Sequence, residues 1–437
     1  MLNEGMLDDK APSEIGATAE TQCGCDKAHN GRSLNSIDDA LALIAANASI
    51  VPETETVPLD GSLGRVLAEP VKTHANLPPF DNSAMDGYAV DASALSGSGP
   101  WALKLADRIP AGQSGAGKVP KGEAARIFTG APLPAGTDTV VMQEDVVRLP
   151  NGIVLNSRPE TGMNIRRAGE ELAVGSPVLS EGCTIGTREI AACAAAGQGS
   201  VKVRRKVRVA ILVTGDEICA AGQPLGDAGI WDVNTPMLRS ALSHASVELV
   251  EIVQCADNRA AMVQSLQDVS SKVDLLITSG AVSVGEEDHV KPALKSLGAD
   301  IHFSGVAIKP GKPVSFGQIG TALWVGLPGN PLSAYVTWQV FGSEVLRCLS
   351  GRIDGAAQRR LVEIGSEINH RIGRTELRLA SLIRGTGFDR DIAQFAKATH
   401  SARVTGLPDA DGLVVIPAET DHLPQGSLVD FLPFHDV

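Results

Sequence analysis

Two lysines, Lys309 and Lys312, sit in the run IKPGKPVSFG, each followed directly by a proline. Prolines fix the backbone on either side. A solvated turn needs no such rigidity, so the pair reads as a preset cationic patch for an oxyanion. Just upstream, VDLLIT empties into SGAVSVGEED. Ser279, Gly280, Ser283 and Gly285 can turn successive N–H groups toward a phosphate, because small residues let the backbone approach a ligand. Asp288 ends that loop, where it can hold a cation, cap the following helix HVKPALKSL, or do both. Downstream, LWVGLPGNPLSAY sets Asn330 as a cap and Pro331 as the first residue of a helix. Exposed N–H groups at such a helix start favour an anion. Asp216 and Glu217 close the apolar run VRVAILVTGDEI.

Two earlier loops carry polar chemistry as well. LPPFDNSAMDGYAV holds Asp81 and Asp86 beside Asn82 and Ser83. These are either turn formers or carboxylates facing a metal ion or a polar ligand. RIFTGAPLPAGTD offers Thr129 and Gly130 at a strand end, or a simple β-turn. Two decoys fall away. Gly112 to Lys118 has the spacing of a phosphate-binding P-loop, but Val119 stands where magnesium needs a hydroxyl and Pro120 opposes the helix. AVSVG around Ser283 lacks the first glycine of a nucleophile elbow.

The elements that must position these residues follow from pattern. Ser36 caps a helix with Ile37, Leu41, Ile44 and Ala48 on one face. From Val57 to about Val203 short apolar runs alternate with Gly/Pro turns and read as β. Beyond Lys206 strands alternate with helices, opened by Thr235-Pro236 and by Asp257, which implies a mostly parallel, doubly wound sheet. Such sheets bind ligands at the carboxyl ends of their strands, where Asp216, Glu217 and the glycine-rich loop stand. After Gly351 short β runs return and suggest a small barrel or sandwich.

The totals bound the reading. A chain of 437 residues holds about two to four domains. Its net charge of −13 and 3% aromatics argue against nucleic acid and anionic membrane surfaces as partners. No apolar stretch is long enough to span a membrane, and the first residues lack the pattern of a secretory signal. The scattered, odd set of seven cysteines fits a reducing cytosol. Residues 1–34 read as a disordered polar leader, in which Cys23, Cys25 and His29 are weak metal-ligand candidates.

Seven stretches in order resemble the MoeA and gephyrin E-domain family of molybdopterin molybdenumtransferases: PPFDNSAMDGYAV, RIFTGAPLPAGTDTVVMQED, GMNIRRAGEEL, VTGDEI, TSGAVSVGEEDHV, IKPGKPVSFG and GLPGNPLSA. With flanks the likeness runs from about 36 to 437. It implies that adenylylated molybdopterin binds, that its diphosphate is hydrolysed with magnesium, that molybdate enters the dithiolene, and that AMP leaves. It places Asp86, Thr129, Glu217 and Asp288 on catalytic positions, with Asp86 and Asp288 as magnesium ligands. Glu171, where relatives often have Asp, and Asp257 fall on further acidic positions. Lys309 and Lys312 match the basic loop, Pro328 and Pro331 the shaping prolines. Near the C-terminus ATHSARVTGLPDADGLVVIP departs from the family's Gly-Ser-rich run; Ser401 takes the serine position, and Arg378 or Arg384 the arginine.

The resemblance further implies a mixed α/β, multidomain chain: a discontinuous β subdomain at 35–74 and 160–205, a β-rich one at 75–159, the α/β molybdopterin-binding domain at 206–352, and a C-terminal β-barrel at 353–437. It implies a cytoplasmic homodimer whose cleft draws on both subunits. An adenylyltransferase and recipient molybdoenzyme apoproteins are its candidate partners. Two rival readings stand beside it. An adenylyltransferase has typically only the α/β part, and a non-catalytic cofactor carrier or scaffold draws support from the altered C-terminal run alone.

Overall fold

The computed structural model describes residues 34–280, 289–355, 359–387, 389–396 and 401–434. The leader with Cys23, Cys25 and His29, and the loop residues Ser283, Gly285 and Asp288, lie outside them.

The central layer is one six-stranded sheet. Its strands are β1 (Val207–Thr214), β2 (Val247–Cys255), β3 (Leu275–Ser279), β4 (Asp300–Ser304), β5 (Ser315–Ile319) and β6 (Ala322–Leu327). The order is β2-β1-β3-β6-β5-β4; the first four run parallel, β5 is antiparallel to β6, and β4 is antiparallel to β5. β1, β3 and β6 are buried on both faces, which explains why they read as unbroken apolar runs. Helices cover both faces. Ala210, Leu212 and Leu276 pack with α3 (Arg259–Ser270) and α4 (Val290–Ser296); Val209, Ile211 and Ile277 pack on the other side with α2 (Asn234–Ala241) and α5 (Pro331–Thr337).

Helix α1 (Ile37–Asn47) starts as its sequence predicts: the Ser36 hydroxyl accepts from Asp39 N–H at 3.1 Å and the Asp39 carboxylate reaches back to Ser36. Its buried Ile37, Ala40 and Ile44 belong to the same cluster as β1 and α5, so this helix, which the domain bounds of the resemblance place in the 35–74 segment, packs on the α/β layer.

Two other helix starts differ from expectation. Thr235 is not a cap, since α2 begins at Asn234 and Thr235 N–H goes to the Asp232 carboxylate at 2.9 Å. α3 is capped by Asn258, whose Oδ1 accepts from Ala261 N–H; the neighbouring Asp257 points elsewhere. In both places a short polar side chain one to three residues away competes for the same N–H groups.

The C-terminal strands β7 (Arg360–Ile364), β8 (Thr375–Ile383), β9 (Ile392–Phe395), β10 (Gly412–Ile416) and β11 (Leu428–Pro433) pair in the order β8-β9-β7-β11-β10, and β10 returns to β8. The five therefore close into a barrel. The two-residue strand Ile308–Lys309 leaves the α/β layer to pair with β8, setting Lys309 opposite Glu376. Toward the N-terminus a second six-stranded sheet is built around Gly87–Val90, Trp101–Ile109 and Glu123–Ile127. Among the described residues no helix is long and apolar enough to cross a membrane.

Candidate active site

The order β2-β1-β3 reverses direction between β1 and β3, and an open parallel sheet binds ligands in the crevice at such a switch. Gly215 to Glu217 leave β1 there and Gly280 leaves β3. Gly280 holds φ +94, and a Cβ on it would come within 2.8 Å of the Thr214 carbonyl oxygen. Only glycine fits, so the two strand ends touch backbone to backbone. Asp257, at the end of β2, accepts from the Thr214 hydroxyl at 3.2 Å and gives its N–H to Asp216 at 3.3 Å. Glu217 is exposed beside them, its carbonyl tied to Ile230 N–H at 2.8 Å.

The floor of the crevice is a residue that pattern reading missed. Asn234 Nδ2 donates to Ser279 Oγ at 2.9 Å and to the Gly329 carbonyl at 2.8 Å. A carbonyl only accepts, which fixes the amide's orientation. Asn234 Oδ1 is buried and meets no donor among the described residues. Leaving a buried acceptor without a donor costs about 1–3 kcal/mol. The partners of Asn234 lie 45 and 95 residues away, so no local signal could have found it.

Pro328, buried, and Pro331 frame the Gly329-Asn330 turn into α5. The expected open N–H groups at that helix start are not open. Leu332 and Ser333 N–H both go to the Ser401 carbonyl, at 3.1 and 3.3 Å, and Asn330 Nδ2 donates to Ser401 Oγ at 3.1 Å. Asn330 is the N-cap residue but makes no side-chain cap bond. The barrel's Ser401 is thus brought to the α/β crevice and fills the positions an anion would take.

The lysine loop packs on the same helix, α5. Lys309 Nζ lies 3.9 Å from Glu376 Oε2. Glu376 is 2% exposed and takes two guanidinium bonds from Arg378 at 3.0 and 3.2 Å; His370 Nε2 is also 3.9 Å from it. Arg378 is therefore the arginine near the lysines. Arg384 is exposed and paired to Asp391 at 2.9 Å. Gly311, between the lysines, has φ +104, and a Cβ there would sit 2.4 Å from Thr337 Cγ2, so the loop lies flat on α5. Lys312 is half-buried.

A second group lies in the N-terminal sheet. Asp86 Oδ1 accepts from both Thr129 N–H and Thr129 Oγ–H at 2.8 Å. The Thr129 N–H, then its hydroxyl, and then the positive field of Arg126 hold the Asp86 carboxyl below the usual range. Asp86 Oδ2 meets no donor among the described residues. Asp81 is taken by structure instead: it binds Ala168 N–H at 2.8 Å and Arg167 at 2.7 Å. That bond ties the loop of Glu171, itself exposed, to the Asp86 loop. No hydrogen bond or ion pair among the described residues joins the Asp86–Thr129 pair to the α/β rim, and no three acidic, His or Cys side chains form a metal cluster.

The layout is that of a known family. A family model described as "MoeA N-terminal region (domain I and II)" matches residues 35–197, one for a "Probable molybdopterin binding domain" matches 210–348, and one for "MoeA C-terminal region (domain IV)" matches 362–434. Molybdopterin molybdenumtransferase of Haemophilus influenzae is 37% identical over 72% of this chain and 78% of its own length. This chain belongs to the MoeA family. Molybdopterin molybdenumtransferase 2 of Mycobacterium tuberculosis is 34% identical over 85% of this chain and 93% of its own. The crystal structure of a molybdopterin biosynthesis MoeA protein from Pyrococcus horikoshii overlays with a TM-score of 0.78 at 29% identity, covering 92% of this chain and all of that one. The MoeA match spans the β-rich, α/β and barrel parts together, which an adenylyltransferase of α/β type alone would not.

Proposed function

We propose that this chain is a molybdopterin molybdenumtransferase. It takes adenylylated molybdopterin, lets water cleave the diphosphate link, transfers molybdenum from molybdate to the dithiolene and releases AMP. The observation that carries this reading is the MoeA likeness along the described chain, with the polar residues of the switch-point crevice in place. In it, Ser279, Gly280, Asn234 and the Pro328–Pro331 turn receive the pterin and its phosphate. Lys309 and Lys312 neutralise phosphate and molybdate, with Glu376 and Arg378 positioning Lys309. Ser401, already bonded to Asn330, closes the molybdate side. Asp216, Glu217 and Asp257 orient the nucleotide end.

Magnesium needs hard oxygen ligands and keeps several waters, binding through one or two carboxylates plus phosphate. The free Asp86 Oδ2 fits that demand, since Thr129 occupies only Oδ1 and keeps the group anionic. Asp86 and Asp288 would hold the ion, which would offset phosphate charge as the link breaks. Thr129 orients Asp86, and Glu171 completes the acidic side.

The reading also requires a homodimer, in which the Asp86–Thr129 pair of one subunit meets the Lys309 rim of the other. Purified protein mixed with adenylylated molybdopterin, magnesium and molybdate should release AMP only when molybdate is present. Consumption of ATP, or pterin binding with no AMP formed, would instead support the adenylyltransferase or carrier reading.

A further inference from the structure

A cavity of about 470 Å³ opens on the N-terminal six-stranded sheet, away from the α/β crevice. Its walls include Tyr88, Leu105, Arg108, Arg126, Arg148 and Leu149. Strand register builds it: Tyr88 pairs with Arg126, and Arg126 pairs with Arg108 on the neighbouring strand. Two like charges directly opposite each other destabilise a sheet, in a chain of net charge −13 that has no shortage of acids. Rings offset part of that cost. Arg126 lies 4.9 Å from the Tyr88 ring centroid and 4.8 Å from that of Phe128, and Arg108 lies 4.7 Å from Phe128.

A ring covers a guanidinium's face and leaves its N–H edge free to donate. Few of those edges are used. Arg126 donates to the Gly87 carbonyl and to Gln143, Arg148 donates to the same Gln143 oxygen at 3.1 Å, and no hydrogen bond or ion pair engages the Arg108 guanidinium among the described residues. The one acid in the wall, Asp107, is already committed to Arg108 N–H at 2.8 Å and Ala116 N–H at 2.6 Å. Beside the arginines, Leu105 and Leu149 are 39% and 44% exposed and give the cavity an apolar edge.

We propose that this cavity is a second binding site, for a phosphomonoester carried on an apolar or ring-bearing body. The arginine fork matches phosphate oxygens two at a time. The volume falls within the range of about 300–1,000 Å³ usual for small-molecule sites and far exceeds one phosphate. Arg126 also holds the Gly87 carbonyl, so one side chain of the cavity wall is bonded to the residue next to Asp86.

Phenyl phosphate is the probe, with hydrogen–deuterium exchange on the full-length protein as the readout. It should slow exchange in peptides covering residues 101–110 and 146–152, whereas phenol at equal concentration should not. Arg108 and Arg148 are exposed and outside the proposed catalytic groups. The double variant Arg108→Ala/Arg148→Ala should raise the half-protecting concentration at least tenfold while leaving molybdate-dependent AMP release unchanged. Equal protection by phenol, equal protection in the double variant, or no protection in these peptides would overturn the proposal. None of these outcomes bears on turnover at the α/β crevice.

Discussion

Asp86 shows how one side chain can be prepared for its work by a single neighbour. Thr129 supplies two donors to one oxygen and leaves the other exposed. Because the folded carboxyl titrates below its ordinary value, the charged form is favoured above that value and is lost only as pH falls through the depressed one. The proposed reaction should therefore keep its Asp86-dependent rate as pH drops from 7 to the ordinary carboxylate value and lose it only below that. Asp86→Asn should lower kcat/KM for AMP release about 100-fold, the scale of losing one preorganised electrostatic group. It should also remove that acid limb from the pH–rate profile. Asn234 is the opposite case at this scale, an acceptor with no partner among the described residues, whose two donated bonds both go to distant chain segments.

Among the elements, the buried strands were the easiest to read. VRVAILVT and LLITS are apolar throughout because helices cover both their faces. Helix α1 was legible in its cap but not in its placement, since Ile37, Ala40 and Ile44 could face any apolar surface. They face the α/β core, so Ile44→Ala should destabilise that layer by about 2–5 kcal/mol, read as a lower urea midpoint, while changes in the N-terminal sheet should leave the α/β midpoint in place. The start of α5 was legible as cap-then-Pro, yet its free N–H groups were not: a carbonyl 68 to 69 positions later in the chain claims them. Likewise Asp257 was legible as a polar helix start, but Thr214, 43 residues earlier, recruits its carboxylate. Local chemistry marks where an element begins; which distant group meets it depends on topology.

At the scale of the molecule, a buried acid joins two layers of this acidic chain. Lys309 and Arg378 share one buried carboxylate across the junction of the α/β layer and the barrel, a link that the seven sequence motifs do not reveal because Glu376 lies outside all of them. The two polar groups of the proposed site share no bond within one chain among the described residues. Mixing inactive Asp86→Ala and Asp288→Ala subunits should thus restore AMP release to a sizeable fraction of wild type, since each mixed dimer carries one intact cleft; no recovery would count against a shared cleft. The central claim is that the amines beside the switch-point crevice bind the reacting anions. Its most direct measurement is molybdate-dependent AMP release by Lys309→Met/Lys312→Met, in protein shown by circular dichroism to be folded. A fall of about 100-fold or more is predicted, and a rate equal to that of the unaltered protein would contradict it.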